Sequence, residues 1–481
     1  MYQKENLPDQ SGSGWLAGTR GWSDWLSDYD PVMRFRFNQS HMMQRRRFLT
    51  TAAAAAVTAP AFIRNLRAAS PNGKVRHASF GGGGQAMSDL QSFASHPDFE
   101  LVAVADVDTA NFAEIKKLWP QAKCYQDWRQ LLEKEVGNID SVNVSVPDHM
   151  HAPIGAAALQ LGKHLYGQKP LTQNLRECRF ITELAREKKL MTQMGIQVSS
   201  DFYERYAVHM VQSGVIGKIK EVHTFSNKEW GDPEPVPQRQ DPVPSTLDWD
   251  LWLGTAAERP YINGYYHPGN WRKRRDFGTG TLGDMGCHMF SGWMRALALT
   301  SPTLVKSTGP APGKDNWAIG GRVEYTFPAT AYTAGPEVKV TWTDGQARPP
   351  QEVADLAGGK LPSQGSVFIG TEGVIVFGHM SRPVILPAEK AKEYKFPTLE
   401  KRNHYHEFLD AVRNGGKLPS ANFDYSGPLT EAVLLGCLSS IFPDQPLEFD
   451  TAALKFKNKA EANAFVGRTY RKGWEIPGLK V

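Results

Sequence analysis

The stretch Val75-Arg76-His77-Ala78-Ser79-Phe80-Gly81-Gly82-Gly83-Gly84-Gln85-Ala86 decides how this chain folds. A short strand over residues 75–80 runs into four glycines, and a helical stretch of about ten residues follows to Ser95. Gly81, Gly83 and Ala86 fit the spacing G-x-G-x-x-[G/A] in the strand–turn–helix setting that gives the motif its meaning. The first glycine permits a tight turn, and the second lets the backbone approach a pyrophosphate. The third small residue lets the helix sit close to the sheet, with its positive N-terminus toward the phosphates. About twenty-five residues later, the apolar run 101–105 reads as a strand buried on both faces and ends at Asp106. A carboxylate in that position accepts the ribose hydroxyls of NAD and repels a 2′-phosphate, so NAD is expected over NADP.

Working outward, further strands are expected at 141–146, 164–166 and 190–194, with helical stretches at 109–118, 127–135, 151–162 and 174–189. Strand and helix alternating at this interval predicts a doubly wound parallel sheet, an α/β Rossmann domain over residues 71–195. From Ile196 the pattern changes. Runs at 219–225, 318–327, 337–342 and 366–377 alternate or carry β-branched residues. They predict a second, α+β domain over 196–481, built on a large, mostly antiparallel open sheet. The proline-rich stretch 231–246 and the Pro-, Gly- and Gln-rich stretch 344–364 read as surface loops.

The bulk numbers agree with two domains. The chain has 481 residues, 41% of them hydrophobic and 22% charged, which excludes a disordered or fibrous protein. A net charge of +5 without a long basic tract gives no reason to expect nucleic acid. Cys124, Cys178, Cys287 and Cys437 form no C-x-x-C pair, so neither a disulfide framework nor a metal site is expected; each reads as a small buried hydrophobe.

The first seventy residues read differently. Arg45-Arg46-Arg47-Phe48-Leu49-Thr50 leads into an alanine-rich apolar stretch over 51–62, a charged region followed by an apolar one too short to span a bilayer. The pair Arg45-Arg46 followed by Phe48-Leu49 resembles the bacterial twin-arginine export signal, assigned to residues 43–70. Ala59-Pro60-Ala61 and, more weakly, Arg67-Ala68-Ala69 offer cleavage sites. Residues 1–42, with Trp15, Trp22 and Trp25, are expected to be a leader without function, Met42 or Met43 being the more natural start. A disordered arginine-containing tail is the alternative reading. Export implies a periplasmic mature protein close to neutral in charge.

Three further motifs carry a family resemblance: Val146-Pro147-Asp148-His149-Met150-His151; the run 162–171, which contains Gln168-Lys169-Pro170; and the run 276–288, which contains Asp284 and His288. In this order they resemble the Gfo/Idh/MocA family, from about residue 73 to about 300, and more loosely through Gly370-Thr371-Glu372-Gly373 and the helical run 404–414. The resemblance implies an NAD(P)-dependent oxidoreductase acting on a CH–OH group of a sugar, sugar derivative or polyol. It also implies a homodimer or homotetramer formed through the open face of the second sheet. The family's Glu-Lys-Pro signature reads Gln168-Lys169-Pro170 here. The resemblance gives Lys169 the substrate hydroxyl, where an ammonium donates to oxygen as charge develops. Gln168 drops a negative charge, which leaves open what replaces the glutamate and suggests a more electropositive site. Gln168 is placed with Pro147, His149 and His151 on the cofactor side, although His151 could simply open the following helix.

Asp284 and His288 are spaced i, i+4, so a helix starting near Gly283 puts both on one face. By resemblance the imidazole is general base in oxidation and general acid in reduction, and the aspartate orients it or binds a neighbouring hydroxyl. A pKa near neutrality suits histidine to that exchange. A hydrogen-bonded core histidine is the alternative. Trp249, Trp252, Tyr261, Tyr265, Tyr266, His267 and Trp271 offer faces for a pyranose ring or for one another. Trp271 and Arg272 join Lys169, Asp284 and His288 as expected substrate contacts. Lys273-Arg274-Arg275 suggests either selection for an anionic sugar or a solvated loop. If the protein is exported, no free NAD pool is at hand, and a bound cofactor restored within each cycle is expected. The alternatives are an NAD-dependent glycosidase working through transient oxidation and a non-catalytic sugar- or nucleotide-binding protein. A small sugar or polyol is the expected partner, with no nucleic acid and no stable membrane insertion.

Overall fold

Strand β1 (Val75–Phe80) is the centre from which the first half grows in the computed structural model, which describes residues 73–480. The expected leader 1–42, the export signal 43–70 and both cleavage sites lie outside the described residues. All described residues belong to one compact unit. After β1 come α1 (Gly84–Ala94), β2 (Phe99–Ala105), α2 (Phe112–Leu118), β3 (Lys123–Tyr125) and α3 (Trp128–Glu135). They are followed by β4 (Ser141–Val144), α4 (His151–Gln160), β5 (His164–Gly167), α5 (Leu175–Glu187) and β6 (Thr192–Met194). The six strands pair in parallel in the order β3-β2-β1-β4-β5-β6. All four residues of β4 are buried, because helices cover both faces of the sheet. The winding reverses between β1 and β4, which opens a crevice at the carboxyl ends of those strands. The short edge strand β3 is an element the apolar pattern did not announce.

The second half is built on a nine-stranded sheet. Its elements begin with α6 (Phe202–Ser213), β7 (Ile219–Ser226), α7 (Trp249–Leu253), α8 (Gly280–Ala296), β8 (Leu304–Ser307), β9 (Arg322–Pro328) and β10 (Glu337–Asp344). After α9 (Gln351–Leu356) come β11 (Gly365–Gly370), β12 (Val374–Gly378), β13 (Val384–Leu386), α10 (Ala388–Glu393), α11 (His404–Asn414) and α12 (Phe423–Ser439), and β14 (Leu447–Asp450) and β15 (Lys455–Phe456) close the sheet. The order is β13-β12-β11-β7-β10-β9-β8-β14-β15, antiparallel throughout except for β7 with β10. The run 366–377 is therefore two strands folded at Thr371-Glu372-Gly373, not one, and the stretch 344–364 contains a short helix as well as loop. Residues 231–246 carry neither helix nor strand.

Helix α8 is buried along almost its whole length, packed against α6, α12 and β7. A helix covered on every side can hold side chains in a fixed direction. Helix α11 leaves the second half and packs on α1 and β1, where Tyr405, Phe408 and Leu409 join Leu90, Phe93 and Tyr166 in a separate apolar cluster. Among the described residues no helix is long and apolar enough to cross a membrane.

Candidate active site

Gly81 stands at φ +103°, a conformation side chains resist, and a Cβ there would run into the Ser145 carbonyl and the Ala86 methyl. The loop after β1 is thereby pressed against the loop after β4. Gly83 caps α1, and a Cβ on it would lie 2.5 Å from Asn111 Oδ1. The first amides of α1 have no acceptor within the helix, and its first turn holds no acidic residue, so its positive end is free to meet an anion. Asp106 follows β2. Its Oδ2 accepts from the Gly82 amide at 2.8 Å and Asn111 Nδ2 at 2.9 Å, and its Oδ1 accepts from the Asp108 amide at 2.9 Å. Burial pushes its pKa up, and these hydrogen bonds oppose the rise. A glycine cradle that a side chain would fill, a free helix N-terminus and a carboxylate at the next strand's end together fit a dinucleotide.

The second group of residues converges at the end of β5. Lys169 Nζ donates to Asp284 Oδ1 at 2.5 Å and to the Asp284 carbonyl at 3.1 Å. Arg272 Nη1 lies 3.2 Å from the same Oδ1 and 3.6 Å from Asp148 Oδ1. Asp148 is 1% exposed, and its Oδ2 accepts from the Thr279 hydroxyl at 2.6 Å. The result is an alternating row, Lys169–Asp284–Arg272–Asp148, with two positive and two negative groups. Arg272 Nη1 and Asp148 Oδ1 form ion pairs but complete no hydrogen bond, so a donor and an acceptor remain for a further molecule.

The electrostatics divide the labour between Asp284 and His288. Burial works to raise the Asp284 pKa, but Lys169 and Arg272 outweigh it and hold the carboxyl well below its usual range. His288, one turn further along α8, is half-buried, with Nδ1 free of any hydrogen bond and its ring 5.7 Å from that of His379. Burial, the Lys169 ammonium and His379 push its pKa well below 6.5 against the pull of Asp284, so the ring is neutral and able to accept a proton.

Other expected residues stand elsewhere. His149 is 0% exposed, donates from Nε2 to the Trp252 carbonyl at 3.0 Å and packs edge-on to Phe277; burial takes its pKa to about 3. His151 opens α4, its ring nitrogens 2.7 Å from the carbonyl oxygens of Pro170 and Val146, so it ties the Lys169-Pro170 turn to the loop containing half-buried Pro147. Gln168 is 5% exposed and donates to Asp89. The aromatic residues before Arg272 pack on one another, Trp249 stacking on Trp252 at 4.8 Å and Tyr261, Tyr265, Tyr266 and Trp271 burying around Phe277. Trp271 also carries the Arg272 guanidinium 4.3 Å above its ring. Arg274 is neither a solvated loop residue nor a free anion receptor. It is 4% exposed, bonds Asp232 at 2.6 Å and Asn316 at 2.9 Å, and lies 3.5 Å above the Tyr265 ring. Arg275 donates to the Gly313 carbonyl at 2.9 Å. Asp148 and Thr279 received no role from the sequence. The available signal was an acid directly after Pro147 at a strand's carboxyl end.

Comparison with known proteins agrees with this layout. The model of the Gfo/Idh/MocA oxidoreductase family's NAD-binding Rossmann fold matches residues 75–196, and that of its C-terminal alpha/beta domain matches residues 209–476. Over 209 residues the chain is 29% identical to a glycosyl hydrolase family 109 protein of Shewanella putrefaciens, covering 37% of this chain and 45% of that protein. Over 220 residues it is 22% identical to levoglucosan dehydrogenase of Pseudarthrobacter phenanthrenivorans, covering 44% of this chain and 47% of that enzyme. The matches thus span slightly under half the length of these relatives. Among solved structures, the aldose-aldose oxidoreductase of Caulobacter crescentus, complexed with glycerol, superposes with TM-score 0.54 at 15% identity, covering 78% of this chain and all of that one. The WlbA dehydrogenase of Bordetella pertussis, in complex with NADH and UDP-GlcNAcA, gives 0.56 at 14%, covering 78% and 99%. At such identities the likeness is one of fold. The matched families, the parallel sheet with its glycine cradle and the mixed nine-stranded sheet agree, and the chain belongs to the Gfo/Idh/MocA oxidoreductases, its residues 75–196 an NAD-binding Rossmann domain.

Proposed function

We propose that this protein oxidises a CH–OH group of a sugar, sugar derivative or polyol, with NAD held across the crevice between β1 and β4. The observation that carries the reading is the meeting of Lys169, Asp284 and a neutral His288 at the end of β5. Gly81, Gly83, the N-terminus of α1 and Asp106 would hold the dinucleotide, the acid favouring NAD over NADP. When bound, the nicotinamide supplies the acceptor for the hydride leaving the substrate carbon. Lys169 donates to the substrate oxygen and stabilises charge as it builds there. His288 takes the hydroxyl proton, so carbon loses a hydride and oxygen a proton, and a carbonyl results. Asp284, kept ionised by Lys169 and Arg272, holds the lysine in place and can accept a neighbouring hydroxyl. With two cations balanced by two carboxylates, and Arg274 and Arg275 bonded elsewhere, the cleft suits a neutral polyhydroxyl better than a uronate.

Residues 43–70 support export by the twin-arginine route, and with it a periplasmic enzyme that carries its NAD in and regenerates it within each turnover. Homo-oligomerisation through the second sheet belongs to the same proposal. The likeness to a family 109 glycosyl hydrolase favours a second reading, in which transient oxidation acidifies the adjacent C–H and lets the glycosidic bond leave before the carbonyl is reduced again. Products decide between them: an oxidised sugar in the first case, a free sugar with no net oxidation in the second. Changing His288→Ala should cut turnover at least ~100-fold while NAD still co-purifies. Full activity in that variant would falsify the assignment.

A further inference from the structure

Asp89 lies on α1, 0% exposed, and belongs to no part of the mechanism above. Five hydrogen bonds from four side chains end on its carboxylate. Gln85 Nε2 donates to Oδ1 at 2.8 Å, the Tyr405 hydroxyl to Oδ1 at 2.8 Å and the Ser145 hydroxyl to Oδ2 at 2.7 Å. Gln168 Nε2 donates to both oxygens, at 3.1 and 2.9 Å. The Gln168 amide is pinned from behind as well, since a Cβ on Gly195 would lie 2.7 Å from it, and its Oε1 accepts from the Lys169 amide at 3.3 Å. The next side chain along is that of Lys169, bonded to Asp284. A neutral donor at position 168 suits this carboxylate: a glutamate would set two buried acids within hydrogen-bond distance, which can share one proton but cannot both ionise cheaply.

We propose that Asp89 is a positioning residue for Lys169, its carboxylate supplying from α1, through the Gln168 amide, the negative charge that the Gln168-Lys169-Pro170 turn lacks. The negative charge beside the turn is thus carried by α1 rather than by position 168. Burial raises the Asp89 pKa while its four donor side chains oppose the rise, so the pair belongs to the charge-sensitive part of the fold. The inference rests on the role proposed above for Lys169.

The test compares the parent protein with Gln168→Met, Gln168→Glu, Asp89→Asn and the double exchange Asp89→Asn/Gln168→Glu, all as full chains. Gln168→Met removes the amide without adding charge and should lower kcat about tenfold or more, with NADH affinity changed less than about threefold. Gln168→Glu should lose kcat progressively as the pH rises, when the shared proton leaves and the two carboxylates repel. The double exchange restores one acid and one amide and should recover most of the parent kcat and its pH profile. A merely structural role would not produce a pH-dependent loss that a charge exchange reverses. A Gln168→Met protein with parental kcat, or a double exchange no better than its worse single, overturns the proposal. A parent that binds NADH but oxidises no sugar or polyol defeats the reading of the reaction instead. In that case the rate of Lys169 modification by an amine-reactive reagent at one fixed pH, read by mass spectrometry, still tests the pair. It should change in both charge-altering singles and return in the double, while that of the exposed Lys117 stays constant.

Discussion

Lys169 and Arg272 both address Oδ1 of Asp284, and the two contacts do different things. The lysine also depresses His288, second only to burial. Removing the ammonium therefore acts twice: the substrate oxygen loses its donor, and the imidazole becomes easier to protonate. Lys169→Met should lower kcat by about 100- to 1000-fold, the usual effect of losing one donor to a developing oxyanion. It should also move the acid limb of kcat/KM for oxidation. In the parent, His288 is neutral down to well below its ordinary value of about 6.5, so that limb lies low; in the variant it moves up toward that value. A limb at the same pH in both proteins would show that Lys169 and His288 are not electrically coupled. The spacing of Asp284 and His288 on one helix face was legible in the sequence because i, i+4 geometry is local. Asp148 and Thr279 were not, because they meet only when segments more than a hundred residues apart close together, and Asp89 was not, because beyond the local Gln85 its donors Ser145, Gln168 and Tyr405 all come from more than fifty residues away.

Helix α8 presents its chemistry because the elements around it hold it still. Its Ser291 hydroxyl donates at 2.7 Å to Glu204 of α6, a carboxyl 1% exposed whose pKa burial raises to about 7 against the opposing pull of Arg295. The folded pKa lies above the unfolded value of about 4.3. The stability Glu204 contributes is therefore full below the unfolded value and is lost as pH climbs through about 7. Glu204→Gln, which keeps the shape and cannot ionise, should match the parent at pH 4 and exceed it at pH 8 by on the order of 3 kcal/mol in urea unfolding. An equal difference at both pH values would mean that Glu204 does not titrate across this range. At this scale local pattern predicted most of the elements of the parallel half, since buried strands and their covering helices alternate at a regular interval. It read β11 and β12 as one run because both are continuously apolar, and only the turn Thr371-Glu372-Gly373 between them carries the break. It passed over α12, whose residues are buried on nearly every side, so no polar face marks its period.

At the scale of the whole molecule, the two halves are not independent bodies joined by a linker. Residues 404–414 read as a helix from their own periodicity, but nothing local says that the helix crosses back to the Rossmann half. There Phe408, fully buried, lies 6.1 Å centroid to centroid from Phe93 and 5.9 Å from Tyr166. Tyr405 stacks on Tyr166 at 5.5 Å and carries its hydroxyl to Asp89. The face of α1 that the first half leaves bare is thus finished by chain from the second, and the dinucleotide cradle depends on a segment more than three hundred residues away. Phe408→Ala should cost about 3–5 kcal/mol, the range for emptying a buried aromatic site. Because the cavity opens against α1, whose N-terminus would hold the phosphates, NADH affinity should fall with it. The affinity loss is what separates this outcome from ordinary core damage. Trimming a comparably buried ring in the second sheet, Phe327→Ala, should cost similar stability and leave NADH binding near the parental value at temperatures where both variants remain folded. If Phe327→Ala weakens NADH as much as Phe408→Ala does, the cradle is no more dependent on α11 than on any other part of the core.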